Sequence, residues 1–430
     1  MKIDLHYGKG IVSLQVARQN IEEIIRPWQD KAAADNLALI EQALSSPEAK
    51  DFRTAITGKR LCVLTEDGTR EPVLDETLLA PVFNLMSGSS HVQFLISTGT
   101  HDPDTPQNAQ IIGKIRRAAR KARLPDFEIH THDCQHEKFI NAGQTSRGTN
   151  VLFNAAIDDA DVFLVLSDMK THYFAGYSNP IKNFVPGVCA FETTEHNHSL
   201  ALDSNSTFGL HPWHNDPNRR NNPLAQDQLE AMQMIVNDRP VYVLGTISTS
   251  GKIQWARFAA AQSVTAEAFD KIDERNTHTV TPVGRLIVSP GGLPNDVTLY
   301  IAQRALELTK NAVTDNGEVL FLAACPDGIG EERTMEHFYN LLTLPTERIL
   351  QSIEAEYKLY SHKPYKFAQM IRRLRKIWMH TEIPDNLIEA AHIHPTHEPQ
   401  NVIDNWLGED PDTRITIVDG ANKIALYARP

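Results

Sequence analysis

The sequence predicts an α/β protein of two domains, each a largely parallel sheet flanked by helices, with the active site in the cleft between them. Three observations predict it. Short apolar runs alternate with segments of helical period, the rhythm of strand, helix and strand in a parallel sheet. At 430 residues the chain is too long for one ordinary core. Polar loops rich in Gly, Thr, Asp and His follow several of the apolar runs, where open α/β sheets bind ligands.

Taken in order, residues 1–60 read as a β-hairpin about Gly8-Lys9-Gly10, then helices rich in Ala, Leu and Glu. Leu61-Cys62-Val63-Leu64 is a buried strand, and Thr65–Arg70 is the polar loop at its end. A helix is expected from Asp75 to Met86. The run Val92–Ile96 is a strand that ends in Ser97-Thr98-Gly99-Thr100-His101. The helix over 108–123 carries Ile111, Ile112, Ile115 and Ala118 on one stripe, with basic residues opposite. Phe127–His130 and Val162–Leu166 are further strands, the second leading into Ser167-Asp168-Met169-Lys170-Thr171-His172. Residues 200–225, rich in Asn, Asp, Pro and His, read as a long loop, and Val241–Gly245 resumes strand character.

The polar stretch 270–283 is expected to connect the domains. The first domain is placed at 1–275 and the second at 284–411, with the terminal strands 412–430 free to return to the first. Leu286–Gly292 opens the second α/β unit. Its helix begins near Asn295-Asp296 and carries Tyr300 and Arg304 one turn apart. Gly317–Cys325 is the following strand, helices fill 333–376, and 415–427 forms two short strands about a turn.

Composition narrows the classes of function. Hydrophobic residues make up 41% and charged residues 22%, the profile of a globular protein. A formal net charge of −12 argues against a nucleic-acid or anionic-membrane partner. Cys62, Cys134, Cys189 and Cys325 lie far apart, with neither a zinc spacing nor a disulfide framework, which suits a reducing compartment. No segment approaches the roughly eighteen apolar residues of a membrane helix, and the start lacks a signal-peptide stretch. A cytoplasmic protein is the expectation.

The residues that could carry chemistry are His101, His172, His198 and Lys182. Imidazoles on strand-end loops shuttle protons near neutral pH and ligate borderline metals, and a lysine among them is a candidate for covalent attachment. Each has a plain structural reading beside the chemical one: a hydrogen-bonded histidine, a solvated lysine. Arg70 suits a carboxylate clamp because its planar fork makes two parallel hydrogen bonds; a local pair with Asp67 or Glu71 is its alternative. Asp67 can hold that arginine, a ribose hydroxyl or its own turn. The Gly291-Gly292 turn is not a G-x-G-x-x-G fingerprint. His362-Lys363-Pro364-Tyr365 reads as surface packing or as an aromatic wall.

In combination, Asp67-Gly68-Thr69-Arg70, Thr98-Gly99-Thr100-His101, His172–Ser178 through Lys182, Pro186-Gly187, Glu192-Thr193 and Asn197-His198-Ser199 resemble, in order and spacing, the nickel-dependent lactate racemases. The resemblance extends to Gly291–Asp296 and is most specific over 172–199. It implies a nickel-pincer nucleotide, a pyridinium mononucleotide (3-thioamide-5-thiocarboxylic acid) with nickel, joined to Lys182 through a thioamide. It also implies His198 as the protein's nickel ligand, His101 and His172 as acid/base pair, and Arg70 on the substrate carboxylate. Asp67, Gly68 and Thr69 fall in the cofactor-contacting loop, and Tyr300 and Arg304 at positions that contact cofactor or substrate. The activity so implied is racemisation or epimerisation of a 2-hydroxy acid by reversible hydride transfer through a 2-oxo acid, with cofactor-making enzymes as maturation partners.

The chain departs from the family where Asn179-Pro180-Ile181 replaces Gly-Gly-Arg before the lysine. It departs again where Ile301 and Arg304 replace a glutamine and a lysine after Tyr300, and Arg is not an interchangeable Lys. Lactate, malate, a longer hydroxy acid and a sugar acid therefore all stand as substrates. Two other classes use the same residues: a zinc-dependent hydrolase, and a non-catalytic carrier of the nickel cofactor.

Overall fold

Strands from the two ends of the chain meet in one sheet, so residues 1–28, expected in the first domain, join the second unit, while the boundary expected near residue 275 falls between 272 and 273. The computed structural model describes residues 1–29, 35–69, 75–124, 126–249 and 251–429. One compact unit, the terminal unit, comprises Met1–Trp28 and Asp273–Pro430; the other, the central unit, comprises Gln29–Ile272.

In the terminal unit, β1 (Lys2–Tyr7) and β2 (Gly10–Gln15) form the predicted antiparallel hairpin. Its alternation sends Ile3, Leu5 and Leu14 inward, onto a core shared with Ile287, Leu320, Ile417 and Trp406. That burial is the physical reason the hairpin belongs here and not with the segment that follows it. The chain then lays down β3 (Ile21–Ile25) before leaving.

The central unit contains β4 (Arg60–Glu66), β5 (His91–Ser97), β6 (Phe127–Thr131), β7 (Phe139–Gln144), β8 (Asn150–Asn154) and β9 (Val162–Asp168). It continues with β10 (Lys170–His172), β11 (Gly176–Ser178), β12 (Val241–Thr249) and β13 (Lys252–Ala260). Its main sheet runs β13-β12-β9-β4-β5-β6. All neighbours are parallel except the edge strand β13. Every residue of β9 is buried, as a strand covered on both faces requires. From β4 the chain passes first to β5 on one side and later to β9 on the other, so the order reverses beside β4. Side-chain caps start the flanking helices: Asp75 for Glu76–Asn84, Thr105 for Pro106–Lys121 and Asn222 for Pro223–Val236. The last two place proline at the first helical position.

The polar stretch expected as a connector is structured. Ala261–Asn276 is a helix and β14 (Thr277–Val280) follows at once. Back in the terminal unit come β15 (Val283–Ser289), β16 (Val313–Leu322), β17 (Lys376–His380), β18 (His394–Pro395), β19 (Ile415–Asp419) and β20 (Ala425–Ala428). The second sheet is β18-β17-β16-β15-β19-β3, parallel throughout. The end strands thus complete the terminal unit: β19 lies between β15 and β3, and β20 pairs with β14. The long helix expected to carry both Tyr300 and Arg304 is two short ones, Leu299–Ala302 and Arg304–Thr309, divided at Gln303.

Candidate active site in the central unit

Parallel pairing of β4 with β5 brings Glu66 opposite Ser97, so the loops leaving both strands emerge side by side. Asp67 and His101 sit on those loops. Nδ1 of His101 donates to Asp67 Oδ2 at 2.7 Å, while Thr69 Oγ1 donates to the other carboxylate oxygen at 2.7 Å. A carboxylate can only accept, so the His101 proton lies on Nδ1 and Nε2 is the free base. Asp67 therefore orients a histidine, a partner not considered from sequence. Gly68 makes this possible: a Cβ there would lie 2.3 Å from Gln107 Cβ, where the loop presses on the helix Pro106–Lys121. Its N–H donates to Asn108 Oδ1.

The His101 loop is fastened to the lysine turn. Gly99, in the left-handed region at φ +58, donates its N–H to the Gly187 carbonyl, and Gly187 N–H donates to the Lys182 carbonyl. His132 adds a buried knot. Its Nε2 donates to Cys189 O at 2.9 Å, its Nδ1 accepts from Asn154 Nδ2, and its carbonyl accepts from Thr98 Oγ1. Burial lowers its pKa to about 4.

His172 ends β10, and the β10–β11 hairpin turns its ring toward Lys182. Its Nδ1 accepts the Ala175 N–H at 3.2 Å, and Nε2 lies 3.3 Å from Lys182 Nζ. Both ring nitrogens thus face donors, the Ala175 N–H and the Lys182 ammonium, the reverse of His101, which faces a carboxylate. Lys182 stands on the short helix Ile181–Phe184. Asn179 shapes its approach, since Oδ1 accepts the Ile181 N–H and Nδ2 donates to the Tyr177 carbonyl. The unusual Asn-Pro pair before the lysine is thus a turn-forming device.

Phe174, which sequence reading passed over, lies among the remaining groups. Its ring is 4.5 Å from the His172 ring and 5.3 Å from the His198 ring, edge-on to both, with Lys182 Nζ 5.3 Å from its centroid. His198 is buried in the last turn of the helix Phe191–Ser199. Burial first, then the Lys182 charge, lowers its pKa to about 3, so it is a neutral imidazole. The predicted long loop after it clamps the hairpin from behind. Asn222 Nδ2 donates to the carbonyls of Phe174 and Thr207 while its Oδ1 caps the next helix, and Arg219 Nη2 donates to the Tyr177 hydroxyl.

The structure thus brings together Asp67, Gly68, Thr69, His101, His172, Lys182 and His198. Arg70 lies outside the described residues. Tyr300 and Arg304 belong to the terminal unit, where Lys363 Nζ lies 3.7 Å from the Tyr300 ring centroid and donates to its carbonyl. His362, Lys363, Pro364 and Tyr365 are buried at the start of the helix His362–Arg373, so the surface-packing reading gives way to packing beside Tyr300. Among the described residues no group of three or more His, Cys, Asp or Glu side chains is arranged to hold a metal ion.

Comparison with known proteins follows the same segments. Residues 7–209 match the family model for the lactate racemase N-terminal domain. The lactate racemase of Thermoanaerobacterium thermosaccharolyticum is 24% identical over 339 residues, covering 77% of this chain and 76% of that protein. The lactate racemase of Lactiplantibacillus plantarum is 21% identical over 341 residues, with the same coverage of 77% and 76%. Among solved structures, the Thermoanaerobacterium thermosaccharolyticum lactate racemase apoprotein superposes with a TM-score of 0.85 at 20% identity, covering 99% of this chain and 100% of that one. A Thermotoga maritima protein superposes at 0.66 with 12% identity, covering 92% and 100%. These two likenesses establish the fold.

Proposed function

We propose that the chain is a lactate racemase-family protein, which the match over residues 7–209 and the two relatives support, and that it racemises or epimerises a 2-hydroxy acid with a nickel-pincer nucleotide tethered to Lys182. The observation that carries the reading is the convergence of His172, Lys182 and His198 on the Phe174 ring.

The residues suit the group. A cofactor that brings most of its own donors needs one protein ligand, and a buried neutral imidazole is the form of histidine that binds nickel. Lys182 Nζ lies in the same cluster for the covalent link. When bound, the cofactor supplies a reversible hydride acceptor, which avoids making a carbanion beside an ionised carboxylate.

The chain's own part is proton transfer and orientation. His101, with Nδ1 held by Asp67, takes the substrate hydroxyl proton at Nε2. His172, whose Nε2 lies beside Lys182 Nζ, is the proposed second proton carrier. Inversion needs proton carriers on both faces, because a proton taken on one side is returned from the other. Arg70 is the proposed clamp on the carboxylate, Asp67 to Thr69 line its loop, and Tyr300 and Arg304 are proposed contacts to cofactor or substrate. Cofactor-making enzymes are the partners this chemistry requires.

Two rival readings fit less well. A zinc hydrolase needs about three protein ligands, and no such group exists among the described residues. A carrier has no use for the Asp67–His101 pair.

The test is to incubate the matured protein with single enantiomers of 2-deuterated lactate, malate and sugar acids. The expected product is the opposite configuration with deuterium retained at C2. Inversion with complete loss of deuterium to water would overturn the hydride reading.

A further inference from the structure

Asp67 and His101 are joined a second time, away from the ring. Asn108 stands in the first turn of the helix Pro106–Lys121, only 2% exposed, with its own N–H capped by Thr105 Oγ1. Its Oδ1 accepts the N–H of Gly68, the residue after Asp67, at 2.8 Å. Its Nδ2 donates to the carbonyl of Asp102, the residue after His101, at 3.3 Å, and to that of Pro103 at 3.0 Å. One side-chain amide therefore ties the backbone next to the carboxylate to the backbone next to the imidazole.

An amide is the group this arrangement needs. Its oxygen accepts while its two hydrogens donate, and here all three are used. A carboxylate at this position keeps the acceptor but offers nothing to the two carbonyls; an alanine offers neither. The His101 side chain is 34% exposed, so water competes for its bond to Asp67, whereas the Asn108 tie is shielded from solvent. Close packing supports the tie. A Cβ at Gly68 would lie 3.1 Å from the Asn108 nitrogen, so the Asp67 loop rests directly on the first turn of the helix.

We infer that Asn108 is a positioning residue for the Asp67–His101 pair. By holding both loops at once it sets the distance between carboxylate and imidazole, and so the tautomer that leaves Nε2 as the base. This deepens the racemase reading and, for its kinetic part, rests on it. An asparagine that merely started the helix would affect stability alone. Thr105→Ala is the matched control, since it removes the cap of the same helix and leaves the three bonds of the amide in place.

The first measurement uses the full-length chain without cofactor. A proton on Nδ1 held by a carboxylate at 2.7 Å exchanges slowly and gives a far-downfield ¹H NMR signal, assigned by its loss in His101→Gln. Asn108→Asp is expected to abolish the signal and Thr105→Ala to retain it. Asn108→Ala, which brings no charge, is expected to act as Asn108→Asp does and serves if the aspartate variant fails to fold. A signal that persists in a folded Asn108 variant, or is lost equally in Thr105→Ala, overturns the inference. So does its absence from the parent chain, since there is then no pair to position.

The second measurement uses matured protein. In Asn108→Asp, kcat is expected to fall by about 10²-fold, the cost of a misplacement of about 1 Å, with KM within about twofold of the parent. Thr105→Ala is expected to keep the parent kcat. A raised KM with kcat intact overturns the positioning role. A parent protein that racemises none of the 2-hydroxy acids overturns the function proposed above and leaves the proton signal standing.

Discussion

Asp67 holds His101 by a 2.7 Å hydrogen bond, while His172 meets the Ala175 N–H at Nδ1 and Lys182 Nζ at Nε2. Two histidines of one type are thereby given different surroundings by their partners alone, an acceptor beside one and donors beside the other. Asp67 is a positioning residue, so Asp67→Asn should lower kcat by about 10²- to 10⁴-fold, the usual weight of a general base, with KM little changed. The amide can present its NH₂ to Nδ1, favouring the wrong tautomer. A rise in KM with kcat intact would instead make Asp67 a binding group. The pairing was within reach of sequence reading, since both residues close adjacent parallel strands, but many partners suit an aspartate in a turn. Phe174 left no such trace: an aromatic residue beside a histidine is ordinary, and only the folded hairpin sets it among His172, Lys182 and His198.

At the scale of elements, the β10–β11 hairpin and the lysine turn depend on segments far along the chain. Asn222 caps the helix Pro223–Val236 with Oδ1 and spends Nδ2 on the Phe174 and Thr207 carbonyls, fully buried. Asn222→Ala removes the cap and leaves buried carbonyls without a donor, a loss of roughly 2–4 kcal/mol. Denaturant unfolding should show a lower midpoint with an unchanged slope. Asn222→Asp keeps the acceptor oxygens and should fall between the two; equal stability of all three proteins would refute the clamp. The strand–loop–helix rhythm was legible because buried parallel strands are continuous apolar runs, as in β9. The pairing of β3 with β19 was not, because a partner at the other end of the chain leaves no local pattern. For the same reason the hairpin was assigned to the wrong neighbour. The polar stretch 270–283 does carry the chain from the central to the terminal unit, as its composition suggested, but as a helix end and a short strand, both of which can be polar.

Across the central unit, three buried histidines make stability depend on acid. Burial lowers His132 to about 4, and His198 and His211 each to about 3. The unfolded chain protonates them near pH 6.5. Their folded pKa values are depressed, so the unfolded state binds more protons between pH 6.5 and 4, and stability falls as pH drops through that window. Three protons correspond to a slope on the order of 4 kcal/mol per pH unit. Chemical denaturation at stepped pH should show this fall above the carboxylate range. His132→Gln should reduce the slope by about one proton, and an unchanged slope would contradict the assignment.

The account turns on Lys182 as the covalent anchor. The most direct measurement is peptide mass mapping with nickel analysis on protein produced together with the cofactor-making enzymes. A nucleotide-sized adduct on the Lys182 peptide, about one nickel per chain, and loss of the adduct in Lys182→Ala are the predicted results. Full racemising activity in a sample whose Lys182 is an unmodified amine would contradict it.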